Sequence, residues 1–410
     1  MRLDVEALMR EDKSQQYAVQ VKNRFEMLQS MDEEKMPEDL WQDMKNVLLD
    51  SAKEVVDIRK TVKQKEWMTP QTIRLIEEKR MAKGSDEKAY KELKKQVQKQ
   101  VRIDKQMQTE QVCKTLEEQN EKGNMREVFR LVKNMTRKFQ PRYGGIKSAD
   151  GKNLTTTDEI SQRWKEYCED MYSDHEVNET VTLTETEPPP TRAEIERAIS
   201  RTANGKATGP DNVPAELFKE GGDATVNAMH RLCEAIWTTG EWPEEWTQSV
   251  FIPIPKKGDL SQCSNYRTIS LVSHASKILL RVILERIQRK TENELSDEQA
   301  GFRPGRGTRD QITNLRIMMS KAREFGQLLY MCFIDFKKAF DSVPHEKLWI
   351  VMLEMGYPAH IVDLLAKLYK KQKAAVKIAN TISEWFRIRR GVRQGCVISP
   401  YLFNILLILC

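Results

Sequence analysis

Apolar residues change their spacing twice along this chain, and the changes divide it. From residue 1 to about 135 they are sparse and recur at helical intervals. Leu40, Met44, Val47 and Leu48 form one stripe, Ile73, Ile76 and Met81 a weaker one. Between Asp86 and Glu118 only Leu93, Val97, Val101 and Met107 interrupt a polar run rich in Glu, Lys and Gln, which are good helix formers. Pro37, Pro70 and Gly84 mark breaks, so residues 1–135 read as a charged helical region.

Residues 136–190 read as a connector. Pro141, Gly144, Gly145 and Asp150-Gly151 are turn chemistry, with a small hairpin expected over Ile146–Leu154. Thr157 to Met171 is an amphipathic helix with Ile160, Trp164, Tyr167 and Cys168 on one face. The acidic, Thr-rich tract Ser173–Glu187 and Pro188-Pro189-Pro190 then read as a linker, and the domain boundary is placed there.

From residue 191 to 410 the apolar pattern thickens. Thr191 and Glu194 form a capping box before Ile195, Ala198 and Ile199. Trp237, Trp242 and Trp246 read as packing of a helix pair. Ser249–Asp259 is a strand running into a basic turn, and Ser273–Glu294 a long helix with Ile278, Leu279, Val282, Ile283 and Ile287 inward. Leu328–Phe336 reads as a buried strand, followed by a direction change at Ser342-Val343-Pro344. Two helices follow, one with Leu348, Val351, Met352 and Met355 at helical spacing, the other over Ala359–Tyr369. A hairpin pairs Ala375–Ala379 with Trp385–Arg389 around Asn380-Thr381. Ser399 is expected to cap a last helix with Pro400 at its first position.

The length, 410 residues, suits two or three domains, and 67 basic against 61 acidic residues leaves a net charge of +6, which permits a polyanionic partner. In the first 135 residues acids are interleaved with the lysines. That favours a solvated helical linker over a basic arm touching nucleic acid. The 7 cysteines are scattered with no C-x-x-C pair, which argues against a zinc site or a disulfide framework and suits a reducing, intracellular compartment, nucleus or cytoplasm. Arg2, Asp4 and Glu6 interrupt any secretory signal, and no apolar run reaches membrane-spanning length, so no membrane association is expected.

Three stretches carry candidate chemistry. In Y-M-C-F-I-D-F-K-K-A-F-D, Tyr330 to Asp341, one carboxylate, Asp335, sits in the apolar strand. It is either a strand-end Asp that caps the turn or a charge compensated by a divalent metal. In G-V-R-Q-G-C-V-I-S-P-Y-L-F-N, Gly391 to Asn404, two glycines bracket Arg393 and Gln394 and allow close approach to another chain or a ligand. In Q-A-G-F-R-P-G-R-G-T-R-D-Q-I, Gln299 to Ile312, Arg303, Arg306 and Arg309 on one Gly-rich loop suit a phosphate backbone. Phe302 is read as packing beneath that loop.

Together these stretches resemble the reverse transcriptase of non-LTR (LINE-like) retrotransposons. The likeness is good over about residues 195–404 and includes N-G-K-A-T-G-P-D-N-V-P-A-E-L-F-K, Asn204 to Lys219, and N-Y-R-T-I-S-L, Asn265 to Leu271. The resemblance implies an α+β fold: a helical N-terminal region, then fingers and an incomplete antiparallel palm, with no thumb. It implies RNA-directed DNA synthesis by two-metal nucleotidyl transfer, on an RNA template with a DNA primer and dNTP. Asp335 would be catalytic and would bind two Mg²⁺ ions, with the carbonyl of Phe336 as a further ligand. Arg267 and Lys256 (or Lys257) would hold the triphosphate, Phe340 would be the steric gate against a 2′-hydroxyl, and Gln394 would lie beside the nucleotide. Lys206, Arg303, Arg306, Arg309 and Arg393 would face template or other nucleic acid, with Arg393 otherwise supporting its own loop. Asp341 is read as ordering the turn, and Thr268 stands where the family usually has proline. The family's aromatic-Ala-Asp-Asp hairpin is not found in the sequence. The chain is therefore expected to be truncated and inactive alone, the alternative being a catalytically dead nucleic-acid-binding remnant.

Overall fold

The computed structural model describes residues 3–29, 35–56, 67–83, 86–136, 145–174, 186–379 and 381–408. Most of the acidic Thr-rich tract, Gly84, Pro141, Gly144, Asn380 and Cys410 lie outside them. The chain forms two units, Met1–Arg59 with Tyr143–Cys410, and Lys60–Arg142. This division differs from a helical region over 1–135 followed by a connector.

In the first unit, α1 (Glu11–Gln29) and α2 (Pro37–Val55) open the chain. The expected stripe of α2 is buried, with Met44 and Leu48 at most 1% exposed, and Trp41 joins them at 0%. The second unit holds α3 (Pro70–Ala82), α4 (Glu87–Glu121) and α5 (Met125–Met135). Here Asp104 of α4 is buried against the start of α3. It accepts bonds from the Thr69 backbone N–H at 2.9 Å, the Thr72 hydroxyl at 2.6 Å and Gln100 at 3.1 Å. Burial works against its charge, but these donors together hold the carboxyl below its ordinary value.

The first unit resumes with a small hairpin, a bridge between Lys147 and Asn153 around Gly151, and then α6 (Thr157–Met171), which has the expected bounds. Next come α7 (Arg192–Ser200) behind its Thr191/Glu194 capping box, α8 (Ala215–Glu220), α9 (Gly222–Thr239) and the short α10 (Glu244–Thr247). Strands β1 (Gln248–Pro255) and β2 (Tyr266–Leu271) lead to α11 (His274–Glu294), capped by Ser273. After α12 (Thr308–Glu324) come α13 (His345–Glu354), α14 (Ala359–Lys370), β3 (Lys373–Ile378), β4 (Thr381–Ile382), β5 (Phe386–Arg387) and α15 (Ser399–Leu407).

The sheet runs β2-β1-β3-β4, with β5 also on β3. It is mixed rather than antiparallel: β1 and β2 are antiparallel, β1 and β3 parallel in the register Val250↔Ala375. One apolar core joins α1 and α2 to α7–α9, α11, α13 and α14. A second lies between α6 and the sheet, where Trp164, Cys168 and Tyr172 meet Phe251, Tyr266, Val376 and Phe386.

The buried strand expected over Leu328–Phe336 does not form. The segment is irregular, with Phe333 79% and Ile334 82% exposed. A strand is held by its ladder, and the five strands of the sheet pair only with one another, so no described strand satisfies this backbone. The helix α12, unforeseen from the pattern, precedes it and buries none of its residues. Ser399 is the first residue of α15 rather than its cap, a place taken by Ile398.

Trp41 carries the attachment of α2. Its ring meets Trp246 edge-on at 5.4 Å, and its indole N–H donates to Glu245 at 2.7 Å. Lys45 reaches the other oxygen of Glu245 at 2.5 Å. Trp41→Ala is expected to cost ~3–5 kcal/mol and to lower the whole unfolding transition of the first unit, read by tryptophan fluorescence in urea. A separate early transition of the N-terminal helices would show that they are an independent arm.

Candidate nucleotide and nucleic-acid site

The site is built around residues 390–396. The backbone N–H of Gly391 donates to Val343 and that of Val392 to Phe340, both at 2.7 Å. The N–H of Ser270 in β2 donates to the carbonyl of Gln394 at 2.8 Å. Both glycines are needed. Gly391 has φ +88°, and a Cβ there would lie 2.8 Å from the Asp341 carbonyl oxygen; Gly395 has φ +121°, and its Cβ would lie 2.9 Å from that of Ser270. The close approach read from the sequence is thus made to this chain itself, on both sides.

Arg393, between them, is 3% exposed. Its guanidinium donates to the carbonyls of Trp246 and Thr247, both at 3.0 Å, at the C-terminal end of α10. The Arg393 side chain is thus held inside the protein, away from solvent. Gln394 is half-buried.

The hairpin β1–β2 carries the expected triphosphate ligands. Ile254 pairs with Arg267, and strand alternation buries Tyr266 and Thr268 while exposing Arg267. Lys256 is exposed, its backbone N–H fixed to the Asn265 carbonyl at 2.8 Å. Its ammonium also helps to stabilise the carboxylate of Asp341.

Asp341 orders the turn through a partner that the sequence reading did not single out. Tyr172 donates its hydroxyl to Asp341 at 2.6 Å and lies 3.3 Å from the hydroxyl of Thr268. Burial raises the carboxyl of Asp341, against the lowering effects of Tyr172, Lys338 and Lys256. Burial also raises the phenol of Tyr172, and the Asp341 charge adds to it. A signal for Tyr172 was present: it lies one helical turn beyond Cys168 on the apolar face of α6.

Phe340 stacks on Phe403 at 5.1 Å and meets Phe302 edge-on at 5.5 Å. Phe302 meets that ring but remains 54% exposed at φ +58°, rather than packed away beneath its loop. Phe336 reaches the same cluster, 6.3 Å from Phe403. Asp335 beside it is exposed, and no group of three His, Cys, Asp or Glu among the described residues could hold a metal.

The arginine loop divides. Arg303 is turned inward, bonding Glu292 at 3.0 Å and the carbonyls of Ser296 and Gln299 at 2.7 and 3.1 Å, which clamps the loop to the end of α11. Arg306 pairs with Asp297 at 3.2 Å, and Arg309 is exposed on α12. From α15, buried Asn404 donates to the Gly301 carbonyl at 3.0 Å and accepts from Gln299 at 3.2 Å, tying two of the sequence stretches together.

Lys206 is exposed on a separate loop whose Gly209 passes so close to Ser273 that a Cβ would lie 2.5 Å from its nitrogen. Beneath lie Asp211 and His274, each 2% exposed. Burial moves Asp211 up to about 6 and His274 down to about 4.

Two outcomes are expected. Gly391→Ala should cost at least ~1–3 kcal/mol from its left-handed backbone, with the contact to Asp341 added, measured as a lower urea midpoint; an unchanged midpoint would mean that the loop is not held as described. His274 stays neutral in the folded chain, so its contribution is present above pH ~6.5 and is lost as the pH falls toward about 4. Asp211 works in the opposite sense below about 6, because the folded state holds its proton more tightly. The stability difference between the parent and His274→Leu across this window isolates the histidine term, up to ~3 kcal/mol; a flat difference would refute its burial as neutral imidazole.

Against this geometry stand the comparisons with known proteins. The family described as reverse transcriptase (RNA-dependent DNA polymerase) matches residues 254–408. The transposon TX1 uncharacterized 149 kDa protein of Xenopus laevis is 29% identical over 253 residues, 62% of this chain and 19% of that protein. The retrovirus-related Pol polyprotein from type-1 retrotransposable element R2 of Nasonia vitripennis is 29% identical over 199 residues, 48% of this chain and 19% of its own. The probable RNA-directed DNA polymerase from transposon BS of Drosophila melanogaster is 30% identical over 215 residues, 52% and 24%. The chain thus spans between about a fifth and a quarter of the length of these relatives. The matched residues 254–408 hold strand β2, the Phe340 turn and the Gly391–Gly395 loop, so this part of the chain is similar to the reverse transcriptases of such retrotransposable elements.

Proposed function

We propose that this chain supplies the fingers and part of the palm of an RNA-directed DNA polymerase acting inside the cell, in nucleus or cytoplasm, on an RNA template with a DNA primer and dNTP. The observation that carries the reading is one backbone bond, Ser270 N–H to the Gln394 carbonyl at 2.8 Å. It couples the hairpin bearing exposed Lys256 and Arg267 to the loop that also holds the Phe340 turn. Charge for a triphosphate, a ring for a sugar and an amide for a base pair thereby share one framework. The planar fork of Arg267 can take two phosphate oxygens at once. The Phe340 ring, backed by Phe403, is suited to press on the sugar. Lys206, Arg306 and Arg309 remain exposed for template phosphates.

Reverse transcriptases are metal-dependent, and two Mg²⁺ ions would activate the primer hydroxyl and stabilise the leaving pyrophosphate. Asp335 and the Phe336 carbonyl are what the described residues offer toward them. They do not fit a two-ion site by themselves, since no described cluster of metal-binding side chains includes Asp335.

Arg267→Ala should weaken dNTP binding by roughly 10- to 100-fold, the worth of charged hydrogen bonds to phosphate, measured by titrating labelled nucleotide into the full chain bound to primer–template. Equal affinity would remove Arg267 from the site. Primer extension on an RNA template tests the reaction: synthesis by the parent that Asp335→Ala abolishes supports the assignment, and synthesis that the variant retains overturns it.

A further inference from the structure

The second unit carries a surface that neither the family match nor the site above uses. Helix α4 buries one side against its neighbours: Val97 and Asp104 are buried, and Tyr90, Leu93, Gln100 and Val101 half-buried, in register with one another. At 100° per residue the opposite side, from Lys88 to Gln106, is an arc of about 140°. Every position in that arc is Lys, Arg or Gln. Lys88, Lys94, Lys95, Lys99 and Arg102 are all exposed, and none forms an ion pair among the described residues. Lys91 and Lys105 flank them; Lys91 pairs with Glu87 at 2.8 Å, and Lys105 lies over the Trp67 ring at 5.3 Å. Of the nearby acids, Asp104 faces α3 and Glu92 lies at the border of the arc, while Glu87 closes the N-terminal end of the strip in its ion pair with Lys91. What reads in one dimension as mixed charge is in three dimensions a one-signed strip of ~27 Å, at 1.5 Å per residue.

We infer that this strip binds the phosphate backbone of a nucleic acid, outside the nucleotide site. A row of unpaired cations on a rigid helix is suited to a regularly charged polyanion, because each contact releases counterions. Val97 is buried and Tyr90, Leu93 and Val101 are half-buried against the neighbouring helices, which leaves Ile103 and Met107 as the exposed large apolar side chains of α4, too few for the apolar face that an interfacial membrane helix inserts. The choice of polyanion rests on the polymerase reading; the strip itself does not.

The test is fluorescence anisotropy of the full chain with a labelled RNA–DNA hybrid, and with the matching DNA duplex, without Mg²⁺ or dNTP. K94Q/K95Q/K99Q/R102Q is compared with K114Q/K122Q/R126Q/K133Q, which removes the same charge from other exposed positions of the unit. Between about 50 and 200 mM salt the first variant should lower the slope of log affinity against log salt by about 3–4, and weaken binding roughly tenfold or more, while the second leaves both nearly unchanged. K94R/K95R/K99R should retain binding, which separates charge from folding. Equal losses from both glutamine sets, or none from either, overturn the proposal. So does loss of binding to anionic vesicles with hybrid binding intact. Loss on the hybrid alone assigns the RNA-containing helix as the ligand, and loss on both probes assigns the shared phosphate backbone.

Discussion

The placement of Arg393 is the constraint on which the rest of the site depends. Its charge is buried, and burial pulls its proton affinity down; what compensates it is a pair of carbonyls at the end of a four-residue helix. A guanidinium in that position fixes the depth at which residues 390–396 enter the protein. The neighbouring glycines then allow the same backbone to touch the Asp341 turn on one side and β2 on the other. Three segments distant in sequence, at 246–247, 268–271 and 339–343, are thereby referred to one loop. Arg393 itself does not reach solvent; it sets where Phe340, Gln394 and Arg267 stand.

That framework also draws in two earlier segments of the first unit, α2 and the end of α6. Tyr172 closes the turn through Asp341, and its own carbonyl accepts from the Arg389 backbone at 3.0 Å. Trp41 and Lys45 meet Glu245, at the start of the helix whose end Arg393 caps. Burial of α2 and α6 and the geometry of the loop are thus mechanically linked, so a core substitution far from residues 390–396 is able to move them.

Much of the fold was legible in the sequence because the signals were local. Periodicity gave α6, α11 and α14 within a residue or two at either end, and the Thr191 capping box stands as read. The bracketing glycines announced a tight approach. What could not be read was which surface each element meets. Apolar residues at 328–336 satisfy the strand pattern, yet a strand also needs a neighbour for its N–H and C=O groups, and the sheet supplies none. Arg303, Arg306, Arg309 and Arg393 look alike in sequence; the fold makes the first a loop clamp, pairs the second with Asp297, leaves the third exposed and buries the last. The difference lies in partners such as Glu292 and the Trp246 carbonyl, which are remote in sequence or acquire meaning only at a helix end.

Asp335 shows the same limit from the side of chemistry. A carboxylate becomes a metal ligand when its surroundings make the free charge costly and a cation the cheapest remedy. On an exposed, irregular segment water solvates it well, and nothing fixes its direction. Phe336, by contrast, already reaches the ring cluster through Phe403, so the segment is anchored one residue beyond the carboxylate. The step from this arrangement to a metal site is therefore one of pairing the backbone of 328–336, which would bury Ile334 and Phe336 on one face and aim Asp335, with Phe333, on the other. Strand alternation makes those two consequences inseparable: whatever satisfies the ladder also sets the carboxylate.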